Sequence, residues 1–170
     1  AQLVGAETAK RVKMYNSDAR NPKEFKYAGR TSRGNDVYFH KRAMEADHNI
    51  CTGSIVYHFF AGFGGGRKAM FPGVTQYESI CRNHALMLEP GAVIGKLKRN
   101  PAYDDQVEAT EMKRPSFLLN VVLNEKKEFL KVYAGDYLQA HLEACKFVET
   151  IYGTPIDGLA DLVIATCGGY

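Results

Sequence analysis

Apolar residues return at helical spacing most regularly over 137–152, where Leu138, Leu142, Cys145, Val148 and Ile151 share one face of a predicted amphipathic helix. Upstream, the pattern changes to strands. Residues 49–57 form a mostly apolar, β-branched run bounded by turn residues, which predicts a buried parallel strand. Residues 117–123 and 128–133 carry two more strand patterns, joined by the turn-prone 124–127. A hairpin pattern pairs 25–28 with 37–40 around the turn-rich 29–36. Thr75 with Glu78 three positions later has capping-box spacing and predicts a helix to Leu88, stopped by Pro90 and Gly91. Weaker patterns predict a helix tail over 1–11, a short strand over 12–15, a helical turn over 43–46 and a polar helix over 104–113. Residues 159–166 read as one more buried strand, ending in glycines.

Strands and helices alternate, so the expected fold class is α/β. The expected arrangement is a doubly wound, mostly parallel sheet lobe over 1–152, a linker over 153–158, and over 159–170 the first strand of a second, truncated lobe. At 170 residues the chain can bury roughly 70% of its unfolded surface, enough for a true core. Its +3 charge is spread along the sequence, apart from Lys96, Lys98 and Arg99 and the pair Lys126 and Lys127, which read as solvated surface. No nucleic-acid partner is therefore expected. Four scattered cysteines without a CxxC read as reduced thiols of a cytoplasmic protein, and argue against zinc. No apolar run approaches the ~20 residues of a membrane span, so no membrane partner is expected either.

The chemistry concentrates in residues 58–74, HFFAGFGGGRKAMFPGV, where His58 and Lys68 flank a glycine-rich turn and His84 follows one predicted helix later. Such a turn gives up considerable chain entropy, which is tolerated where something approaches the main chain closely. GxxxxGK[ST] fails, because Ala69 follows Lys68 and leaves no hydroxyl for magnesium. GxGxxA matches at Gly64, Gly66 and Ala69, but Pro72 and Gly73 end any helix within a turn. What remains is a generic anion cradle made from the amides of Gly64, Gly65 and Gly66 with Arg67 and Lys68 beside them, or a purely structural tight turn. His40, His48 and His141 have no convergent partner in sequence and read as structural.

This stretch resembles the nickel-pincer-dependent lactate racemase family: GSIVxH at 53–58, AGFxGGxK at 61–68, Pro72 with Gly73, and Asn83 with His84. The likeness continues through 95–101, 120–124, the AGD step at 134–136, Ala140 with His141, and 168–170. The resemblance implies racemisation or epimerisation of a 2-hydroxy acid, through hydride transfer and a keto-acid intermediate, by a two-lobed isomerase of which this chain is a fragment, inactive alone. It assigns Lys68 as the covalent anchor of a nickel pincer nucleotide, His84 as the protein ligand to nickel, and His58 as one of two proton-exchanging histidines. Cofactor-synthesis and nickel-insertion enzymes are implied as partners, and protein made without them is expected to be apo. The second histidine, a carboxylate-binding arginine and a further lysine are implied outside residues 1–170. The rival reading is a non-catalytic, phosphate- or anion-binding or interaction domain that kept the glycine loop.

Overall fold

Three strand patterns assemble into one sheet in the computed structural model, which describes residues 4–158 and 160–164. In chain order the elements are α1 (Ala6–Arg11), the hairpin β1 (Phe25–Arg30) and β2 (Asp36–His40), α2 (Lys41–Glu45) and β3 (Ile50–Ser54). A two-rung hairpin, β4 (Tyr57–His58) and β5 (Gly62–Phe63), precedes a 3-10 turn over Gly66–Ala69 and α3 (Tyr77–Ala85). Then come α4 (Pro101–Glu111), β6 (Phe117–Leu123), β7 (Phe129–Gly135) and α5 (Tyr137–Tyr152). The α/β class is as expected, and the sheet is mixed, β3 pairing parallel and β7 antiparallel with β6. Five residues between β6 and β7 permit only the antiparallel return.

One face of this sheet carries the core. Leu118 and Val122 of β6 are fully buried, Val122 beneath Ala144, Cys145 and Val148 of α5. Leu118 and Cys51 pack with Val37 and Phe39 of the hairpin, Met70, Phe71 and Ala109 of α4. Burying a side chain of this size is worth about 1.5–3 kcal/mol, and α5 docks by Tyr137, His141, Ala144, Cys145 and Val148, a face turned from the expected stripe, whose Leu138 and Leu142 are half-buried and whose Ile151 is exposed. On the opposite face Ile50, Phe117, Leu119 and Val132 are exposed among the described residues. No helix among those residues is long and apolar enough to cross a membrane.

Several expectations shift for local reasons. The strand over 49–57 divides: its sheet segment ends at Ser54, and Tyr57 and His58 pair with Phe63 and Gly62 instead. Thr75 does not cap α3. Its backbone bridges Phe39 and its hydroxyl donates to the Met70 carbonyl at 2.8 Å, while Gln76 takes the cap position with no side-chain bond. The polar helix starts three residues early, because Asn100 accepts from the Tyr103 amide at 3.1 Å and Pro101 fills the first helical position. Residues 12–15 are exposed and form no strand. Of the strand over 159–166, residues 160–164 lie in no regular element, and the rest lies outside the described residues.

Candidate functional site

The glycine loop leaves the sheet beside β6, and packing from three sides fixes its shape. The Gly66 amide donates to Asn120 Oδ1 at 2.7 Å, the Gly64 amide to the Val56 carbonyl at 2.7 Å, and His141 Nε2 to the Gly64 carbonyl at 2.9 Å. A β-carbon on Gly65 would sit 2.8 Å from both Asn120 Oδ1 and the Ser54 carbonyl, and one on Gly66 2.5 Å from the His141 ring. Both residues also have positive φ, 70° and 57°. Glycine is required here because the protein itself comes close. The amides of Gly64 and Gly66 are already paired within the protein, which takes two of the three amides away from the anion cradle expected of Gly64, Gly65 and Gly66.

Arg67 faces inward, away from any surface ligand. It is 1% exposed, donates from Nε to Gln106 Oε1 and from Nη2 to the Ala61 carbonyl, both at 3.0 Å, and lies 4.2 Å above the Tyr103 ring. Burial pulls its pKa down to about 10. The anion-ligand role expected of Arg67 therefore gives way to a buried cation under the loop.

Phe60 gathers the chemical groups. Its ring centroid lies 4.7 Å from that of His58 and 5.2 Å from that of His84, both edge-on, and 5.9 Å from Lys68 Nζ. His58, Lys68 and His84 thus converge around one buried phenyl ring. The His84 Nδ1 meets the Ile80 carbonyl at 2.8 Å. A carbonyl only accepts, so that nitrogen carries the proton and Nε2 keeps a free lone pair, the arrangement found in metal-binding imidazoles. His58 Nδ1 accepts from the Ala61 amide at 3.2 Å.

Burial and charge bring Lys68 and His58 towards neutrality. The Lys68 amine is pulled from 10.5 to about 8, by burial first and by Arg67 second. His58 falls from 6.5 to about 4, by burial first and then by the neighbouring Lys68 and Arg67 cations. His141 falls to about 3 through burial and Arg67, and stays a neutral donor to the loop. A groove of about 470 Å³ along α5, lined by Phe63, Leu97, Leu142 and Cys145 among others, contains none of the three convergent groups. Convergence on Phe60, and not concavity, marks the site.

Residues 1–95 match the family described as the lactate racemase N-terminal domain. The chain belongs to the lactate racemase family. It is 41% identical to the lactate racemase of Lactiplantibacillus plantarum over 145 residues, covering 84% of this chain and 34% of that protein. Against the lactate racemase of Thermoanaerobacterium thermosaccharolyticum the identity is 37% over 155 residues, covering 90% and 36%. The chain therefore spans about a third of the length of these lactate racemases. The solved structure of the lactate racemase apoprotein from T. thermosaccharolyticum superimposes with a TM-score of 0.84 at 34% identity, over 86% of this chain and 36% of that one. A Thermotoga maritima protein shares the fold, with a TM-score of 0.75 at 23% identity over 87% and 41%.

Sequence reasoning gave Phe60 and Asn120 of this lactate racemase family member no part in the site, and read His141 as structural with no convergent partner. Phe60 looks like one more apolar residue in HFFAGF, and only its burial among three functional groups sets it apart from Phe59, which is 68% exposed. Asn120 interrupts the apolar run FLLNVVL of β6 on its buried side, a signal that could have pointed to a loop partner. His141 lies on the buried face of α5, and its tie to Gly64 spans 77 residues.

Proposed function

We propose that the full-length protein racemises or epimerises a 2-hydroxy acid, with Lys68 holding a nickel pincer nucleotide, His84 completing the nickel's coordination and His58 exchanging a proton with the substrate hydroxyl. The observation that supports this most is the convergence of the three side chains on Phe60. The residues fit such a group. Lys68 can be acylated only as the neutral amine, and its depressed pKa supplies that form. His84 offers Nε2, and an imidazole suits a nickel ion whose remaining donors are soft. Among the described residues no three His, Cys, Asp or Glu side chains gather, so His84 would be the single protein ligand here. When bound, the group supplies a hydride acceptor and donor at C2 of the substrate.

His58 supplies the proton chemistry. With Nδ1 bonded to the Ala61 amide, the neutral ring carries its proton on Nε2. To take a hydroxyl proton at Nε2 the ring moves that proton to Nδ1 and gives up the Ala61 bond, at a cost of about 1 kcal/mol. Burial is the first cause of the lowered His58 pKa and the Lys68 charge the second, so acylation of Lys68 would remove one of the charges that hold it down.

The test uses full-length protein matured with the cofactor-synthesis and nickel-insertion enzymes, assayed by chiral chromatography of lactate and larger 2-hydroxy acids. The parent is expected to interconvert enantiomers of at least one of these acids and to show an added mass on the peptide containing Lys68. Lys68→Ala is expected to lose both. Racemisation or covalent cofactor persisting in Lys68→Ala would falsify the proposal. The anion-binding alternative predicts an unmodified chain that binds phosphate, and the internal pairing of the Gly64 and Gly66 amides weighs against it.

A further inference from the structure

Beneath the site runs a buried chain of polar side chains that joins the residue before Lys68 to the residue before His84. Arg67 Nε donates to Gln106 Oε1 at 3.0 Å, Gln106 Nε2 to Asn83 Oδ1 at 2.8 Å, and Asn83 Nδ2 to Asp105 Oδ2 at 2.9 Å. Asp105 also accepts from Thr31 Oγ1 at 2.6 Å and from Asn35 Nδ2 at 3.1 Å. Arg67, Gln106, Asn83 and Asp105 are each no more than 1% exposed. Guanidinium has no acceptor and carboxylate no donor, so the two ends fix both amides: the oxygen of Gln106 faces Arg67 and the nitrogen of Asn83 faces Asp105. Both amide dipoles then point the same way between a cation and a carboxylate, the order in which each bond strengthens the next. Flipping either amide would oppose donor to donor in a place water does not reach.

We propose that Gln106 is a positioning residue that sets the separation of Lys68 and His84, by tying the loop under one to the helix carrying the other through a single side chain. The inference rests on the function proposed above. Helix α4 is well placed for this task. It holds Gln106 and Asp105 in consecutive positions, supports the Arg67 guanidinium on Tyr103, and through its cap residue Asn100 donates to the Phe60 carbonyl at 2.8 Å. Phe60, Lys68 and His84 therefore each have an anchor on the same helix. Cofactor anchor and metal ligand must hold one rigid group between them, so a small change in their spacing disturbs the reacting atoms without touching the substrate's own contacts.

The experiment compares Gln106→Glu and Gln106→Met with the parent in the full-length, matured protein. Glu keeps an acceptor for Arg67 and removes the donor to Asn83, so it opens the chain at one joint while still pairing the buried cation. Both variants are expected to form the Lys68 adduct, to lose roughly ten- to a hundredfold in kcat, and to change KM little, as expected when catalytic geometry is displaced by about an ångström. Val148→Ala, a core change on the buried face of α5 outside this polar chain, serves as the destabilised control and is expected to keep its kcat. A wild-type kcat in Gln106→Glu, or an equal loss in Val148→Ala, overturns the proposal. Hydrogen exchange separates this claim from the racemase reading, because it needs no turnover. In Gln106→Glu the amides of 77–85 are expected to exchange at least about tenfold faster while those of β6 hold their protection, and unchanged exchange over 77–85 overturns the proposal even where no substrate is racemised.

Discussion

Lys68 should react as an amine at a pH where ordinary lysines do not. Its pKa of about 8, against an ordinary 10.5, has burial beside Phe60 as the first cause and the neighbouring Arg67 cation as the second. At pH 7.5 a group of pKa 8 is about one-quarter neutral and one of pKa 10.5 about 0.1% neutral, roughly a two-hundredfold difference in reactive amine. Lower intrinsic basicity takes back part of that gain and does not reverse it. The assay is competitive acetylation across pH 6–11 with peptide mass spectrometry, taking Lys146 as the internal reference, since its bond to Glu143 raises its pKa. Lys68 labelling is expected to have its midpoint near 8 and to outpace Lys146 below that pH. Arg67→Met should move the midpoint upward without restoring 10.5, because burial remains. A midpoint at the ordinary lysine value, or no response to Arg67→Met, would refute the electrostatic account of this anchor.

Gly66→Ala is expected to cost about 2–5 kcal/mol, from the left-handed backbone and the forced contact with His141, measured by urea unfolding. Gly158→Ala, with open space around it, should change stability by less than about 0.5 kcal/mol, and comparable losses at both positions would contradict the packing explanation of the loop. Acid should weaken the fold through His58 and His141. Their folded pKa values, about 4 and about 3, lie below the unfolded 6.5, so between those limits the unfolded chain binds protons that the folded chain refuses. Stability is then undiminished by these groups above pH 6.5 and falls as the pH drops towards 3. His141→Gln keeps an amide donor for the Gly64 carbonyl and should flatten that decline, and an unchanged slope would remove His141 as its cause.

Local patterns in the sequence were enough for elements whose stability is written into consecutive residues. The helical pattern over Tyr137–Tyr152 became α5, turned so that Tyr137, His141 and Ala144 join Cys145 and Val148 inside while Ile151 is exposed, and the turn at 124–127 returned β7 beside β6. His58, Lys68 and His84 were legible because their residue types and spacing are unusual around a glycine loop. The elements that moved were those with a tertiary competitor. Thr75 was drawn into a bridge with Phe39, and the strand over 49–57 ended where the chain folded back on Gly62 and Phe63.

What the chain order alone determined was which chemical groups are present and roughly which helix, strand or turn carries each. Only the folded molecule decided what surrounds them. Asp105, Gln106 and Thr110 made residues 104–113 read as a polar helix, yet all three are buried. Periodicity scores a polar side chain as solvent-facing and cannot see that its partners come from residues 31, 35, 67 and 83. The same limit applied to Arg67 and the glycines, which read as ligand-binding groups until the close approach of Tyr103, Asn120 and His141 accounted for them. Hydrogen bonds across long stretches of sequence leave no local period, and the surroundings of this site consist largely of such bonds.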